Sequence, residues 1–289
     1  MGDEVPERVD RILTALAGPP FEVLEASAHD DAILEAVHDS ALLQHLETAH
    51  AEWMRSGIPE LAGQDRVVPY MFATEAMLDG LPWHSPAAIH ARAGRYAFDP
   101  MTPVGPHTWQ AARAAVDCAL TAADLLIAGN HAAYAVCRPP GHHATRSAFG
   151  GSCYLNNAAV AAEALHRGGH ERVAIVDVDA HHGNGTASIF YDRADVFYGS
   201  VHIDPGAGWF PHVVGFADET GAGAGAGATL NIPLPPETGD AGWLAGIERL
   251  VAAVVAHDAS ALVVSLGVDA AVDDPNSPLR RCGSTPRCR

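Results

Sequence analysis

Two short segments hold most of the chemistry this chain can offer: Arg138-Pro139-Pro140-Gly141-His142-His143-Ala144 and Asp177-Val178-Asp179-Ala180-His181-His182-Gly183-Asn184-Gly185-Thr186. Together they supply tandem histidines, alternating carboxylates and glycines that permit turns, which is the composition of a metal-hydrolase site. Asp179 and His181 stand two apart at the end of an expected strand, so their side chains can point to one side and share a cation. Asp269 closes Ser265-Leu266-Gly267-Val268-Asp269 after a later strand, and a parallel sheet would bring it to the same rim. Two carboxylates and one imidazole make a three-ligand catalytic zinc site with a position left for water. Read locally, Asp179 and His181 also fit the blander role of capping a turn.

His142 and His143 follow a rigid Pro-Pro-Gly turn that can hold both imidazoles against a neighbouring strand end. With carboxylates nearby, two adjacent histidines suggest a general base and a general acid for hydrolysis. Asp177 shares the face of Asp179 and can orient one imidazole.

The elements that must position these residues are readable from pattern. Residues 6–62 are acidic and helical, with apolar residues at three- and four-residue intervals such as Ile33, Val37, Leu42, Leu43 and Leu46. Residues 63–107, rich in Pro, Gly and aromatics, read as long irregular loops of the functional kind. An alanine-rich helix is expected over 109–128, ending near Gly129-Asn130. Strands at 132–137, 173–178, 196–202, 229–234 and 261–266 then alternate with helices at 156–166, 185–190 and 242–257. Such alternation signals a parallel α/β sheet, whose ligands bind at the carboxyl ends of the strands. The Gly/Ala run 221–227 lacks the Lys-Ser/Thr of a phosphate loop and reads as a flexible or tightly turned loop.

Composition bounds the rest. The chain has 289 residues and 48% hydrophobic content, enough for one large domain whose core needs no metal staple. Cys118, Cys137, Cys153, Cys282 and Cys288 are odd in number and form no CxxC pair, which argues against a disulfide framework. No apolar run is long enough to span a bilayer, and the N-terminus carries acids where a secretory leader has basic residues, so a soluble, cytoplasmic protein with no membrane contact is expected. The net charge of −18 disfavours nucleic acid and favours cationic small molecules or basic peptides, although it is also simply solubilising.

The motifs taken in order resemble the zinc-dependent histone deacetylase superfamily, most closely its bacterial acetylpolyamine amidohydrolase branch. The likeness runs from residue 95 to 279, through 138–144, Gly150-Gly151-Ser152-Cys153-Tyr154-Leu155-Asn156-Asn157, 177–186, Ser200-Val201-His202 and 265–275. It implies a three-layer arginase/deacetylase-like α/β fold with a mainly parallel central sheet and helices on both faces. It further implies Asp179, His181 and Asp269 as zinc ligands, His142 as general base partnered by Asp177, and His143 as general acid or electrostatic partner. Asn184 stands where a second orienting Asp is common. A structural K+ would sit at Asp177, Asp179, His181 and Ser200, held mostly by main-chain oxygens. The implied reaction is hydrolysis of an N-acetyl amide, on acetylated polyamines or acetyl-lysine-like amines, and a homodimer is implied by the same branch.

Two departures qualify the resemblance. Ser152, beside Gly151, replaces an aromatic that lines the narrow substrate channel, while Phe210 matches the opposite wall, so a wider mouth is expected. The sequence also contains no Gly-Gly-Tyr segment, whose phenol in the family hydrogen-bonds the acetyl oxygen. The expectation is therefore a single but incomplete catalytic domain over 1–279, lacking its last strand or strands, followed by an aberrant basic tail at 280–289 with four arginines and two cysteines. Turnover would be reduced or lost. The alternatives are an inactive protein that binds zinc and acetylated ligands, and an arginase-like manganese ureohydrolase, against which the single ligand set argues.

Overall fold

The computed structural model describes residues 5–57, 63–271 and 274. They divide into two compact units, one drawn from Met1–Leu125 with His131–Val160, the other from Leu126–Asn130 with Ala161–Arg289.

The first unit is helical. Its elements are α1 (Glu7–Ala15), α2 (Ala32–Val37), α3 (Ser40–Arg55), α4 (Glu75–Leu78), α5 (Ile89–Tyr96) and most of α6 (Thr108–Ile127). The apolar spacing read from the sequence becomes a buried stripe: Leu34 and Val37 on α2, then Leu42, Leu43, Leu46, Ala49 and Trp53 on α3. On α6 the small residues Ala112, Ala115, Ala119 and Ala123 line one face with Val116 and Leu120, so close packing needs no large side chains. Two short helices, α4 and α5, interrupt the region expected to be irregular. Thr74 starts the first of them, its hydroxyl accepting the Met77 N–H at 3.2 Å.

In the second unit lie most of α7 (Asn157–Arg167), then β1 (Val173–Asp177), α8 (Asn184–Phe190), β2 (Val196–Ile203), β3 (Thr229–Leu234), α9 (Asp240–His257) and β4 (Ala261–Ser265). The strands form one parallel sheet in the order β3-β2-β1-β4. All eight residues of β2 are buried, as a strand covered on both faces requires. α9 packs on β2 and β3 through a core of Val201, Ile232 and Leu250, flanked by Trp243 and Ile247. β4 is covered less: its burial alternates, and Leu262 and Val264 are exposed.

The strand expected at 132–137 joins no sheet among the described residues. No described strand runs alongside it, so its backbone finds local partners: Cys137 N–H donates to Ala135 O at 3.0 Å, and the Cys137 thiol donates to Ala115 O on α6 at 3.2 Å. The 221–227 run is a tight turn, with a 3₁₀ segment at Gly223–Gly225 and a Gly227 N–H to Thr220 O bond of 2.7 Å. Cys118, Cys137 and Cys153 form no disulfide among the described residues, while the expected basic tail, 280–289, lies outside them. Among the described residues no helix is long and apolar enough to cross a membrane.

Candidate active site

In the second unit, β1 ends at Asp177 and the chain turns at once, so Asp179 and His181 leave the carboxyl end of a buried strand. β4 pairs with β1 in parallel, Asp177 beside Ser265, and the segment after β4 therefore runs past the same turn. The result is one convergence of donors. Ligand atoms of Asp179, His181 and Asp269 all lie within 4.8 Å of one another, each residue half-buried. His181 Nδ1 is 3.1 Å from Asp179 Oδ1 and 2.8 Å from Asp269 Oδ2.

Backbone amides fix both carboxylates. The Ala180 N–H donates to Asp269 Oδ1 at 2.9 Å and the His181 N–H to Asp179 Oδ1 at 2.8 Å. Asp177, wholly buried, accepts the Asp179 N–H at 3.2 Å and the Tyr198 hydroxyl at 3.4 Å. Gly267 is the residue that lets the two turns approach, since a Cβ there would stand 2.0 Å from Asp179 Oδ2.

His181 carries the electrostatic signature of the cluster. Burial pulls its imidazole down, but hydrogen bonds and attraction from Asp179 and then Asp269 outweigh that and carry it up to about 10. Nδ1 of His181 thus faces both carboxylates at once. Asn184 opens α8, its N–H bonded to His182 O at 2.9 Å. Phe210 lies on the loop after β2, its ring meeting His212 edge-on at 6.1 Å.

In the first unit, His142 and His143 are both buried, their ring centroids 4.0 Å apart. Gly151 supports them. Its φ is +58, and a Cβ on it would stand 2.3 Å from His143 Cδ2, so the position demands glycine on two counts. Ser152 follows with φ 63, a conformation held by its N–H bond to Thr102 Oγ1 at 2.9 Å, while the Gly151 N–H donates to Asp99 Oδ2 at 2.5 Å.

The family model described as a histone deacetylase domain matches residues 3–286. This chain belongs to the histone deacetylase family. It is 43% identical over 277 residues to the acetylpolyamine amidohydrolase of Burkholderia pseudomallei, covering 96% of this chain and 78% of that protein. With the acetylpolyamine amidohydrolase of Mycoplana ramosa it shares 42% identity over 275 residues, 95% of this chain and 78% of that one. The crystal structure of the Burkholderia pseudomallei acetylpolyamine aminohydrolase superposes with a TM-score of 0.89 at 43% identity, over 96% of this chain and 78% of that chain. A histone deacetylase homologue from Aquifex aeolicus gives 0.73 at 26% identity, over 94% and 64%. The arginase/deacetylase-like α/β fold is thereby established, and with it membership of a family of deacetylating hydrolases.

The residues present fit the metal such a deacetylase uses. Two carboxylates and an imidazole converge within 4.8 Å, the donor set of a three-ligand metal site. Several supporting residues were given no role by the motifs. Trp209 packs against His181, ring centroids 6.1 Å apart. His182 Nε2 meets Asn231 Oδ1 on β3 at 3.1 Å, and the Asn231 amide donates to Phe216 O at 3.2 Å. His202 bridges Ser200 Oγ and Gly215 O, both at 2.8 Å, so β2, β3 and the 205–216 loop are tied beneath the metal turn. Asp99 and Thr102 were hidden in the Pro/Gly-rich stretch. Ser200 and His202 stood in a motif that carried the resemblance, which gave His202 no role.

Proposed function

We propose that this chain is a zinc-dependent amidohydrolase that removes acetyl groups from acetylated polyamines or acetyl-lysine-like amines, with residues 1–279 acting as one catalytic domain. The observation that carries the reading is the convergence of Asp179, His181 and Asp269 on one point, in a chain whose relatives are named acetylpolyamine amidohydrolases. The net charge of −18 favours a cationic substrate.

Asp179, His181 and Asp269 would hold the zinc, which when bound would supply Lewis-acid chemistry to an amide carbonyl and to water. His142, with Asp177 as its carboxylate partner, takes the proton that water gives up. His143 holds the proton needed by the departing amine, and Asn184, being uncharged, leaves that imidazole less firmly paired. Two imidazoles 4.0 Å apart repel each other if both are charged, which favours the division into one base and one acid. Gly151, Ser152 and Phe210 are assigned to the substrate channel, Ser152 giving it a wider mouth. A K+ at Asp177, Asp179, His181 and Ser200, a homodimer and a cytoplasmic location belong to the same reading.

The test is acetate release from an N-acetylated diamine and from an acetyl-lysine peptide by zinc-loaded protein, with Asp269→Asn as control. Faster release from the diamine, lost in D269N, is the expected result. Stoichiometric zinc with no acetate would instead indicate a ligand-binding protein. Urea release stimulated by manganese would indicate a ureohydrolase, against which the single ligand cluster among the described residues stands.

A further inference from the structure

Outside the segments assigned to the chemistry, one buried histidine is bonded on both nitrogens to the backbone around the tandem histidines. His38 lies between α2 and α3 with no exposed surface. Its Nδ1 is 2.9 Å from the carbonyl oxygen of Thr145, two residues past His143, and its Nε2 is 2.9 Å from the amide nitrogen of Asn156. A carbonyl can only accept and a backbone N–H can only donate. One state alone satisfies both: a neutral ring with its proton on Nδ1 and its lone pair on Nε2.

The neighbouring bonds converge on the same strip of chain. The Asn156 side-chain amide donates to Ala144 O at 3.0 Å while its oxygen accepts the Ala159 N–H at 3.0 Å in the first turn of α7. The Asp39 N–H donates to Arg146 O at 2.8 Å, and the Arg146 guanidinium donates to Ala36 O at 3.1 Å. Residues 144–146 are therefore stitched to the α2–α3 link on one side and to Asn156 on the other, immediately after His142 and His143.

We propose that His38 is a positioning residue for deacetylation: its Nδ1–H tautomer joins Thr145 to Asn156 and so fixes the orientation of the His142 and His143 imidazoles. It touches neither substrate nor metal. The inference rests on the reading of those two histidines as the base and acid.

Three variants test it. His38→Ala removes both bonds, His38→Asn keeps a donor near the Nδ1 position for Thr145, and His38→Gln keeps an acceptor near the Nε2 position for Asn156. A displacement of about 1 Å at the histidines costs on the order of 10²-fold in turnover. H38A is expected to lose kcat on that scale while KM and zinc content stay at wild-type values, and H38N and H38Q are each expected to regain part of it. A folded H38A with wild-type kcat, or a loss confined to KM or zinc content, overturns the proposal.

Two readouts do not need activity. In 15N-histidine spectra of the wild-type protein, His38 should be a neutral Nδ1–H ring at pH 7, and an Nε2–H or doubly protonated ring would refute the clamp. Amide exchange at Ala144 and Thr145, whose N–H groups bond Gly141 O and Ala148 O, should quicken in H38N and H38Q, and unchanged exchange would also refute it. If the wild-type protein releases no acetate, the deacetylase reading fails, and these two measurements still decide the clamp. If H38A does not fold, H38N, H38Q and the wild-type spectra decide it in that variant's place.

Discussion

Replacing Gly267 by alanine probes the metal centre without altering any donor. Asp177 pairs with Ser265 across β1 and β4, so two residues further on Gly267 comes level with Asp179. A Cβ on Gly267 would stand 2.0 Å from Asp179 Oδ2, 2.5 Å from its Cγ and 2.6 Å from its Cβ, where ordinary contact begins at 3.4 Å. The carboxylate must retreat by more than about 1 Å, and because Asp179 Cβ is itself in the overlap the turn that carries it must shift as well. Zinc–ligand distances tolerate deviations of only about 0.2 Å, so Asp179 would cease to be a ligand in its present position. Gly267 does not have the positive φ that makes alanine strained, so the cost of the substitution falls on the Asp179 turn rather than on the backbone of residue 267. G267A should therefore lose zinc affinity on the order of 10²-fold while the metal-free protein still unfolds in a cooperative transition. Competition with a chromophoric chelator measures the first and calorimetry of the apoprotein the second. Wild-type zinc affinity in folded G267A would refute the geometry argued for the centre.

Stability should depend on pH through two histidines of the first unit. Burial holds His38 at about 4, with Arg146 adding to the effect, and burial with Arg92 holds His45 at about 4 against the opposing pull of Glu52. The unfolded chain binds both protons near pH 6.5, so stability is fully present above that value and falls as pH drops toward 4, by roughly 2 kcal/mol per histidine between pH 7 and 5. Urea denaturation at the two pH values reads this, and equal midpoints would contradict it. Dialysis against a chelator should abolish acetate release and lower Tm, with zinc restoring both and adding about 2.7 kcal/mol when free zinc is 100 times Kd. Recovery with manganese but not zinc would overturn the zinc assignment. Gly151→Ala should press on the His143 ring and cut kcat on the order of 10²-fold with zinc content unchanged, and unaltered turnover would show that His143 can yield without cost.

The Asp179, His181 and Asp269 cluster was legible because strand period fixes direction. Two residues of separation beyond a buried strand leave Asp179 and His181 on one side, and a parallel neighbour can bring only its own carboxyl end to that rim. Which strand neighbours β1 was not legible, since sheet order depends on contacts between segments far apart in sequence. Pattern also failed where short helices hide among Gly and Pro, as in α4 and α5, and at 132–137, where an apolar run was read as a strand but joins no ladder among the described residues. Residues such as His38 and Asp99 gave no signal because they bond backbone more than 50 positions away, and Asn231 because it meets His182, 49 positions back, and the loop carbonyl of Phe216. A lone histidine or asparagine in an ordinary helix link or strand looks the same whether it faces solvent or closes such a bond.

The half-covered strand β4 bears on how this protein behaves in bulk solution. Leu262, Val264, Leu266 and Val268 are between 48% and 53% exposed at every second position, and Val251 and Val255 on α9 are exposed as well. Aliphatic groups set two apart point to one face and can cohere with any similar surface that comes within reach. Against this stands a net charge of −18, which keeps molecules apart while their mutual repulsion is felt across the solvent. That range shrinks from about 30 Å at 0.01 M salt to about 10 Å at 0.1 M. Colloidal stability should accordingly decline as salt is added, the reverse of ordinary salting-in, and light scattering against ionic strength would trace the point at which attraction between these faces overtakes the charge.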